Sequence, residues 1–321
     1  MSLSKIRVAV LRGGPSREYE VSLKSGASVL QNLPEHMHPI DVFISKDGEW
    51  HVSGRVKDPH QVLRHVDVVF NALHGEYGED GQVQHLLESH NAKFTGPNRF
   101  AAATSMNKAQ TKEIYRRFGI KTPYARVVRR TIEIPALVRD LHQTFPMPCV
   151  IKPVSAGSSV GVYIAGTFET LAKALEELFT TEQTVLIEEL IQGKEATCGV
   201  IDNFRNQPVY SLLPVEIVPP EGRFFDYESK YSGVSQERCP GNFSRKETEE
   251  LQELARKAHQ ALGLRHYSRT DFMISPKRGI YVLETNSLPG LTEESLLPKS
   301  LPALGIEFPD FLAHIVNLVN K

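Results

Sequence analysis

The sequence predicts an α/β protein in which buried strands alternate with helices around a parallel sheet. Two apolar runs, at residues 6–11 and 66–73, each end at a glycine-containing turn. Each run is followed by a helix-like segment, at 21–30 and at 82–90. Buried strands that alternate with helices are typical of parallel sheets covered on both faces. The N-terminal part is therefore expected to be such a sheet.

Two turns of this sheet are candidates for one binding crevice. Gly13-Gly14 follows the first strand, and His74-Gly75 follows the second. Ligands of parallel sheets bind outside the carboxyl ends of the strands, so the two turns are expected to lie close together. His74 is the one histidine kept as a candidate site residue, because it stands at a strand end.

The segments that follow predict a second unit. A helix is expected over residues 101–118 and a short strand over 148–153. A return strand over 160–164, a helix over 168–179 and a strand over 184–191 come next. The pattern of short strands and turns in this region differs from that of the N-terminal part. This difference predicts a separate subdomain.

The last third of the chain combines a long polar segment with a strand pair. Residues 219–243 are rich in Gly, Pro, Tyr and charge, and loops of this length are often lids. Ser244 and Glu247 form a capping box that begins an amphipathic helix. Two strand-like runs, 268–274 and 279–285, follow and are expected to pair.

Length and composition fit a globular chain. The 321 residues correspond to about two domains at ~150 residues each. Hydrophobic residues make up 40% and charged residues 23%, which argues against a wholly disordered chain. Lys and Arg total 37 against 38 Asp and Glu, so no net charge favours nucleic acid or an anionic membrane as a partner.

The sequence predicts a cytoplasmic location. No apolar run approaches the ~20 residues of a membrane span, and no signal-peptide segment is evident near the first residues. The three cysteines, Cys149, Cys198 and Cys239, are far apart and lack a CxxC spacing. They are expected to be free thiols in a reducing compartment rather than zinc ligands.

Asp271, Glu284 and Asn286 form the first candidate site. If the last two strands pair, Glu284 and Asn286 share a face and Asp271 lies opposite on the neighbouring strand. Two carboxylates and an amide oxygen suit Mg²⁺ that is also bound by substrate phosphates. The alternative is a solvent face with ordinary polar residues.

The small-residue turn 156–161, which follows Lys152, is the second candidate site. Its backbone N–H groups can bind a phosphate, and Lys152 adds a positive charge. It lacks the Gly-Lys-Ser/Thr ending of a Walker A loop. The alternative is a plain β-hairpin turn.

The third candidate is the segment 13–20, which is not a dinucleotide fingerprint. Ser16, Glu18 and Glu20 can bind an ammonium group. The alternative is a helix N-cap with acidic residues in the first turn, which the helix dipole favours.

Taken together, the segments resemble the D-alanine–D-alanine ligases of the ATP-grasp superfamily. The matching pieces follow the family order and span nearly the whole chain: 13–22, 72–75, 106–108, 151–153, 157–161, 186–189, 225–231, 269–272 and 283–290. Any one of them is weak, but nine in order are specific.

The resemblance implies the ATP-grasp fold with an N-terminal Rossmann-like subdomain, in three subdomains: 1–105, 106–195, and 196–321 with the lid 219–243. It implies ligation of two D-alanine molecules through a D-alanyl phosphate, for peptidoglycan synthesis. ATP would be the co-substrate, and two Mg²⁺ (or Mn²⁺) ions the cofactors. A cytoplasmic homodimer without nucleic-acid or membrane partners is expected.

The resemblance also implies residue roles. The ATP-binding residues would be Lys108, Lys152, Ser158, Glu188, Glu189, Ile191, Glu195 and Asn286. The substrate-binding residues would be Glu18, His74, Arg269, Gly290, Ser295 and Leu296. The catalytic residues would be Glu18, Ser158, Lys230, Tyr231 and Arg269. The metal ligands would be Asp271, Glu284 and Asn286.

Two departures from the family pattern leave the reaction type intact. Ala156 stands where many members carry Glu, and Ser287 replaces a commoner Thr.

Two alternatives stay open: a ligase with D-lactate or D-serine as acceptor, and a nucleotide-binding homologue without activity. Tyr231, uncharged at neutral pH, favours D-alanine as acceptor, because a cation there would disfavour an ammonium group.

Overall fold

The part of the chain that the computed structural model describes forms three β-sheets. The structure describes residues 5–155, 157, 161–218 and 236–320. Ser158, Lys230 and Tyr231 lie outside these residues, as does the part 219–235 of the predicted lid 219–243.

The N-terminal sheet is parallel at its centre, as the sequence predicts. Its strands are β1 Ile6–Gly13, β2 Met37–Ile44, β3 Trp50–Val52, β4 Arg55–Val56 and β5 Val68–Asn71, in the order β4-β3-β2-β1-β5. β1 pairs in parallel with both β2 and β5, whereas β3 and β4 extend the edge as an antiparallel hairpin. Only β1 and β5 were predicted.

Both faces of this sheet are covered. Alternating residues of β1 enter two different cores: Val8 and Val10 pack in one, Ala9 and Leu11 in the other. The helices around the sheet are α1 Tyr19–Asn32, α2 Pro59–Leu63 and α3 Gln82–Ser89. The last helix of the chain, α10 Phe308–Asn320, packs with Val8 and Val10. Because β1 and β5 pair in parallel, their carboxyl ends lie side by side.

The predicted helix over 101–118 is wrong in one respect, because two helices occupy this region. They are α4 Arg99–Met106 and α5 Lys108–Arg117. Asn107 breaks the run with φ −89° and ψ 99°, and its side chain accepts a hydrogen bond from the Gln110 N–H. An Asn side chain that caps the following turn competes with the helix backbone. Lys108 therefore begins α5.

The middle sheet is antiparallel. Its strands are β6 Ala125–Arg129, β7 Cys149–Pro153, β8 Tyr163–Ala165 and β9 Thr184–Glu189, in the order β6-β9-β7-β8. α6 Ile134–Thr144 and α7 Phe168–Thr181 contribute to its core. The predicted return strand is confirmed, since β8 pairs antiparallel with β7.

The C-terminal sheet positions the predicted metal residues. Its strands are β10 Lys194–Phe204, β11 Gln207–Ser211, β12 Val215–Val218, β13 Gln236–Arg238, β14 Tyr267–Ser275 and β15 Gly279–Asn286. The order is β13-β12-β10-β14-β15, and β11 pairs with β10. α8 Arg245–Ala261 begins with the predicted capping box: the Ser244 hydroxyl accepts from the Glu247 N–H, and Glu247 accepts from the Ser244 N–H. The short α9 Leu296–Ser300 precedes α10.

Across the described ranges, no helix combines the length and apolar character that crossing a bilayer requires. All three cysteines are free thiols, as predicted.

Candidate active site

The strand pair β14–β15 brings the predicted metal residues together. The two strands are antiparallel, with Asp271 opposite Glu284 and Arg269 opposite Asn286. A register shift between Asp271 and Phe272 marks an irregularity in the ladder at this point. The strand pairing predicted from the sequence is confirmed.

Asp271 accepts hydrogen bonds from three neighbouring side chains. Arg269 donates two hydrogen bonds to it, from Nε and Nη2, each at 3.0 Å. The Thr197 hydroxyl donates at 2.6 Å and the Asn286 amide at 3.1 Å. Asp271 is buried, at 7% exposure, so these donors fix its orientation.

The chemistry of this donor set fits Mg²⁺. Two carboxylates and an amide oxygen are hard ligands, and Mg²⁺ in such sites completes its shell with water and substrate phosphate oxygens. Within the described ranges, no three His, Cys, Asp or Glu side chains are grouped to hold a metal alone. A metal at Asp271, Glu284 and Asn286 would therefore depend on ligands that the nucleotide brings.

A cleft of about 1150 Å³ extends from this strand pair to the N-terminal sheet. The predicted site residues along it are Glu18, His74, Lys108, Glu195, Arg269, Asp271, Glu284, Asn286, Gly290, Ser295 and Leu296. Residues from distant parts of the sequence thus share one space. Four predicted ATP-binding residues, Lys152, Glu188, Glu189 and Ile191, are not among those that line it.

Glu18 lies where two glycines leave room for its carboxylate. A Cβ atom on Gly157 would lie 2.1 Å from Glu18 Oε1, and one on Gly75 would lie 3.2 Å from the same atom. A Cβ on Gly75 would also lie 2.6 Å from the Ser16 hydroxyl, and Gly75 has φ +69°. The turns at Gly13-Gly14 and His74-Gly75 lie close together as predicted, since a Cβ on Gly14 would lie 3.4 Å from Leu73 Cδ2. Glu18 occupies the N-cap position of α1 and Glu20 lies in its first turn, as the alternative predicts, although the Glu18 side chain makes no capping hydrogen bond.

His74 is held by both ring nitrogens. Nδ1 lies 3.1 Å from the Leu288 carbonyl oxygen and Nε2 lies 2.8 Å from the Ser25 hydroxyl. Burial lowers the pKa of His74 to about 4. Since a carbonyl only accepts, Nδ1 carries the proton and Nε2 accepts from Ser25. The neutral His74 ring therefore links Leu288 to Ser25 through its two nitrogens.

Glu79 is a site residue that the sequence interpretation missed. Its carboxylate accepts from the Gly75 N–H at 2.9 Å and from the Ser287 hydroxyl at 3.4 Å. Burial, together with the negative charge of Glu18, raises the pKa of Glu79 above its usual value. The sequence feature that could have identified Glu79 is its position five residues after His74, in the same turn.

The lysines lie beside acidic partners. Lys108 Nζ is 3.5 Å from Glu284, so α5 reaches the metal residues. Lys152 Nζ is 2.8 Å from Glu188, whose other oxygen lies 2.8 Å from Lys112. Lys112 was not predicted.

The remaining predicted ATP residues belong to β9 and its end. Glu189 pairs with Arg278 at 2.7 Å and accepts from the Tyr124 N–H at 3.0 Å. Ile191 is buried. Glu189 is thereby tied to the turn between β14 and β15.

The segment after β15 is compact. Thr292 N–H donates to the Ser295 hydroxyl at 3.2 Å, and a Cβ on Gly290 would lie 2.7 Å from that hydroxyl. Leu296 packs with Val215 and Ile217. Gly290 and Ser295 are adjacent in space, as a shared substrate role requires.

The comparisons with known proteins agree across the whole chain. Residues 114–317 match the family model described as D-ala D-ala ligase C-terminus, and residues 7–61 and 53–97 match D-ala D-ala ligase N-terminus. The D-alanine–D-alanine ligase of Syntrophobacter fumaroxidans is 37% identical over 321 residues, covering 99% of each chain. That of Geobacter sulfurreducens is 38% identical over 319 residues, covering 98% of this chain and 94% of the relative.

Solved structures support the same grouping. D-alanyl-alanine synthetase A from Vibrio cholerae superposes with a TM-score of 0.86 at 28% identity, covering 99% of each chain. VanG D-Ala:D-Ser ligase from Enterococcus faecalis gives a TM-score of 0.85 at 28% identity, covering 98% of this chain and 99% of that one. The predicted fold class is confirmed, and the chain belongs to the D-alanine–D-alanine ligases, a family of ATP-dependent enzymes.

Proposed function

We propose that this protein joins two D-alanine molecules into D-alanyl-D-alanine, a peptidoglycan precursor, with ATP as co-substrate. The observation that carries the proposal is the convergence of three groups on one cleft. These are the β14–β15 pair with Arg269 and Asp271, the Glu18 crevice, and the turn around Gly290. Nucleotide phosphates, an amino acid and an acceptor each have chemically suitable groups there.

In the first step, the carboxylate of one D-alanine attacks the γ-phosphorus of ATP and ADP leaves. Glu18 holds the ammonium group of this substrate by a charge-assisted hydrogen bond. Arg269, fixed by its two bonds to Asp271, faces the reacting carboxylate and the γ-phosphate. Lys108 and Lys152 bind the phosphates. Fixed positive groups of this kind account for most of the catalysis in phosphoryl transfer.

In the second step, the neutral amine of the other D-alanine attacks the acyl phosphate carbonyl. A tetrahedral intermediate forms and collapses, phosphate leaves, and the amine loses a proton. Gly290, Ser295 and Leu296 hold this acceptor. No covalent bond to the enzyme is needed.

Asp271, Glu284 and Asn286 are the proposed Mg²⁺ (or Mn²⁺) ligands, for two ions. Bound there, the ions would neutralise charge on the β- and γ-phosphates. Glu188, Glu189 and Ile191 would hold the adenine and Glu195 the ribose. Ser158, Lys230 and Tyr231 keep the roles predicted from the sequence: Ser158 and Tyr231 link the first substrate to the lid, and Lys230 faces the γ-phosphate.

The test is ATP-dependent phosphate release together with product analysis. The purified protein is assayed with D-alanine, L-alanine, D-lactate and D-serine, singly and in competition. We expect phosphate release in step with D-alanyl-D-alanine, and none with L-alanine alone. A protein that binds ATP but forms no dipeptide or depsipeptide from any of these would refute the assignment.

One similarity favours a second candidate function, ligation of D-alanine to D-serine. VanG, described as a D-Ala:D-Ser ligase, is 28% identical over 98% of this chain. The competition assay separates the two, since D-alanyl-D-serine as main product from equal acceptor concentrations would select the second candidate. D-Alanine remains the proposed acceptor because Tyr231 brings no positive charge to the lid.

Three further proposals follow from the family resemblance: the subdomain division at about residues 105 and 195, a homodimer, and a cytoplasmic location. Light scattering of the purified chain at micromolar concentration tests the dimer. Limited proteolysis tests the division.

A further inference from the structure

A buried cluster of two lysines and one glutamate joins three elements near the nucleotide residues. Glu188 on β9 places one carboxylate oxygen 2.8 Å from Lys112 Nζ and the other 2.8 Å from Lys152 Nζ. The side chains of Lys112, Glu188 and Lys152 are 2%, 4% and 10% exposed. Water therefore screens this cluster very little.

The three elements bring these side chains together for separate reasons. Lys112 follows Lys108 by one turn on α5, so both lysines project from one side of that helix. Glu188 and Lys152 lie on neighbouring antiparallel strands, with Glu188 opposite Val150, two residues before Lys152. They are therefore diagonal neighbours on one face of the middle sheet.

Lys112 and Lys152 differ in what surrounds their ammonium groups. Lys112 also donates to the Thr122 hydroxyl at 2.7 Å and is almost fully enclosed. Lys152 feels the negative charge of Glu284, which belongs to the proposed metal site, in addition to that of Glu188. Lys152 is thus the lysine of the cluster on which the proposed metal site acts, and Lys112 is the more enclosed of the two.

The charges of the cluster decide what Lys152 can do. A single buried Lys152–Glu188 pair would be neutral and would attract phosphate weakly. With Lys112 present, two cations share one carboxylate, so the cluster keeps one positive charge. Although burial opposes ionisation, the charges of Lys152 and Lys112 hold the pKa of Glu188 below its usual value, so the carboxylate stays ionised.

We propose that Lys112 is a positioning residue for nucleotide binding: it pairs with one oxygen of Glu188 and thereby leaves Lys152 with positive charge for the phosphates of ATP. The proposal rests on the phosphate-binding role given to Lys152 in the proposed function. Lys112 itself touches no substrate. Its effect on ATP is electrostatic and passes through Glu188.

The test is a double-mutant cycle read by nucleotide affinity. Lys112→Met keeps most of the side-chain volume and removes the charge. We expect it to weaken binding of Mg²⁺ with a non-hydrolysable ATP analogue about tenfold, since Glu188 then pairs with Lys152 alone and neutralises its charge in a poorly screened site. Binding of adenosine, which has no phosphate, should change less than about twofold, because Lys152 still pairs with Glu188 and holds it at the proposed adenine position. The KM for D-alanine should stay within the same limit.

The second half of the cycle removes the carboxylate. In the Glu188→Gln background, Lys152 no longer has a negative partner in the cluster. Adding Lys112→Met in that background should change the affinity for the ATP analogue less than about twofold. The reason is that Lys112 and Lys152 no longer share the negative charge of Glu188. Circular dichroism and thermal melting of each variant establish that it is folded.

Three outcomes would overturn the proposal. One is an unchanged affinity of Lys112→Met for the ATP analogue. Another is an equal loss for the analogue and for adenosine, which indicates a packing role. The third is the same tenfold loss in both Glu188 backgrounds. Each leaves the proposed function standing if the wild type still forms the dipeptide. Absence of nucleotide binding by the wild type would instead refute the proposed function.

Discussion

His74 Nδ1 donates a hydrogen bond at 3.1 Å to the carbonyl oxygen of Leu288, which is 214 residues further along the chain. The other ring nitrogen accepts from the Ser25 hydroxyl, and that hydroxyl in turn accepts from the Leu291 N–H at 3.2 Å. In this series of three hydrogen bonds, each donor has an acceptor. The network ties the segment after β15, which contains Gly290, to the N-terminal unit that holds Glu18.

This network predicts that Ser25 affects acceptor binding without touching substrate. Ser25→Ala leaves the Leu291 N–H and His74 Nε2 without their partner, and each buried unpaired group costs about 1–3 kcal/mol. We expect a lower melting temperature and a several-fold higher KM for the second D-alanine. The KM for ATP should stay unchanged in steady-state assays. Ser89→Ala, at an exposed helical serine, is the control and should change neither quantity.

The neutral His74 ring predicts a loss of stability in acid. The pKa of His74 is about 4 in the folded protein, against 6.5 for an ordinary histidine, because of burial and the nearby charge of Arg269. The unfolded chain therefore binds more protons between these values. The contribution of His74, about 3 kcal/mol, is complete above pH 6.5 and is lost as pH falls towards 4.

Thermal melting between pH 4 and pH 7 measures this effect. His74→Asn should show a shallower fall in melting temperature than the wild type, because it no longer titrates. The exposed His38→Asn is the control and should follow the wild type. Parallel curves for His74→Asn and the wild type would contradict the assignment.

We predict that substitution of the carboxylate on β14 or on β15 causes a large loss of turnover. Asp271→Asn or Glu284→Gln removes one negative ligand from the proposed metal site. We expect turnover to fall at least ~100-fold, within the range for the loss of a major electrostatic contact. Circular dichroism should show a retained fold. Turnover near that of the wild type at saturating Mg²⁺, in either variant, would show that these residues hold no metal.

We predict that substitution of Glu18 selectively weakens binding of the first D-alanine. Glu18→Gln replaces a charge-assisted bond to the substrate ammonium by a neutral one. The KM for the first D-alanine should rise, by about tenfold or more, and the KM for ATP should stay nearly constant. Glu35→Gln, at an exposed acid that does not line the cleft, serves as the control and should leave both KM values unchanged. Equal damage to ATP and D-alanine binding would indicate a structural role for Glu18.

The sequence alone determined the features that depend on neighbours along the chain. The capping box of Ser244 and Glu247 spans four residues, and the β14–β15 pair joins runs separated by a short turn. Alternation along these strands then places Glu284 and Asn286 on one face, opposite Asp271. Two strands of the parallel sheet were predicted because each is an apolar run that ends at a glycine turn. The break at Asn107 was missed, because Asn fits both a helix and a cap.

Only the tertiary structure decided which buried polar groups meet. Lys112 has the sequence surroundings of an ordinary surface lysine, and Glu188 those of a strand end. Their contact arises because Tyr115 of α5 packs in the core of the C-terminal sheet, and α5 in this position brings Lys112 to Glu188 on the middle sheet. Glu79 acquires its raised pKa from burial and from Glu18, which lies 61 positions earlier in the chain. His74 meets Leu288 because β5 and β15 end at the same cleft. Such pairs are set by long-range packing and desolvation, which periodicity and local propensity do not encode.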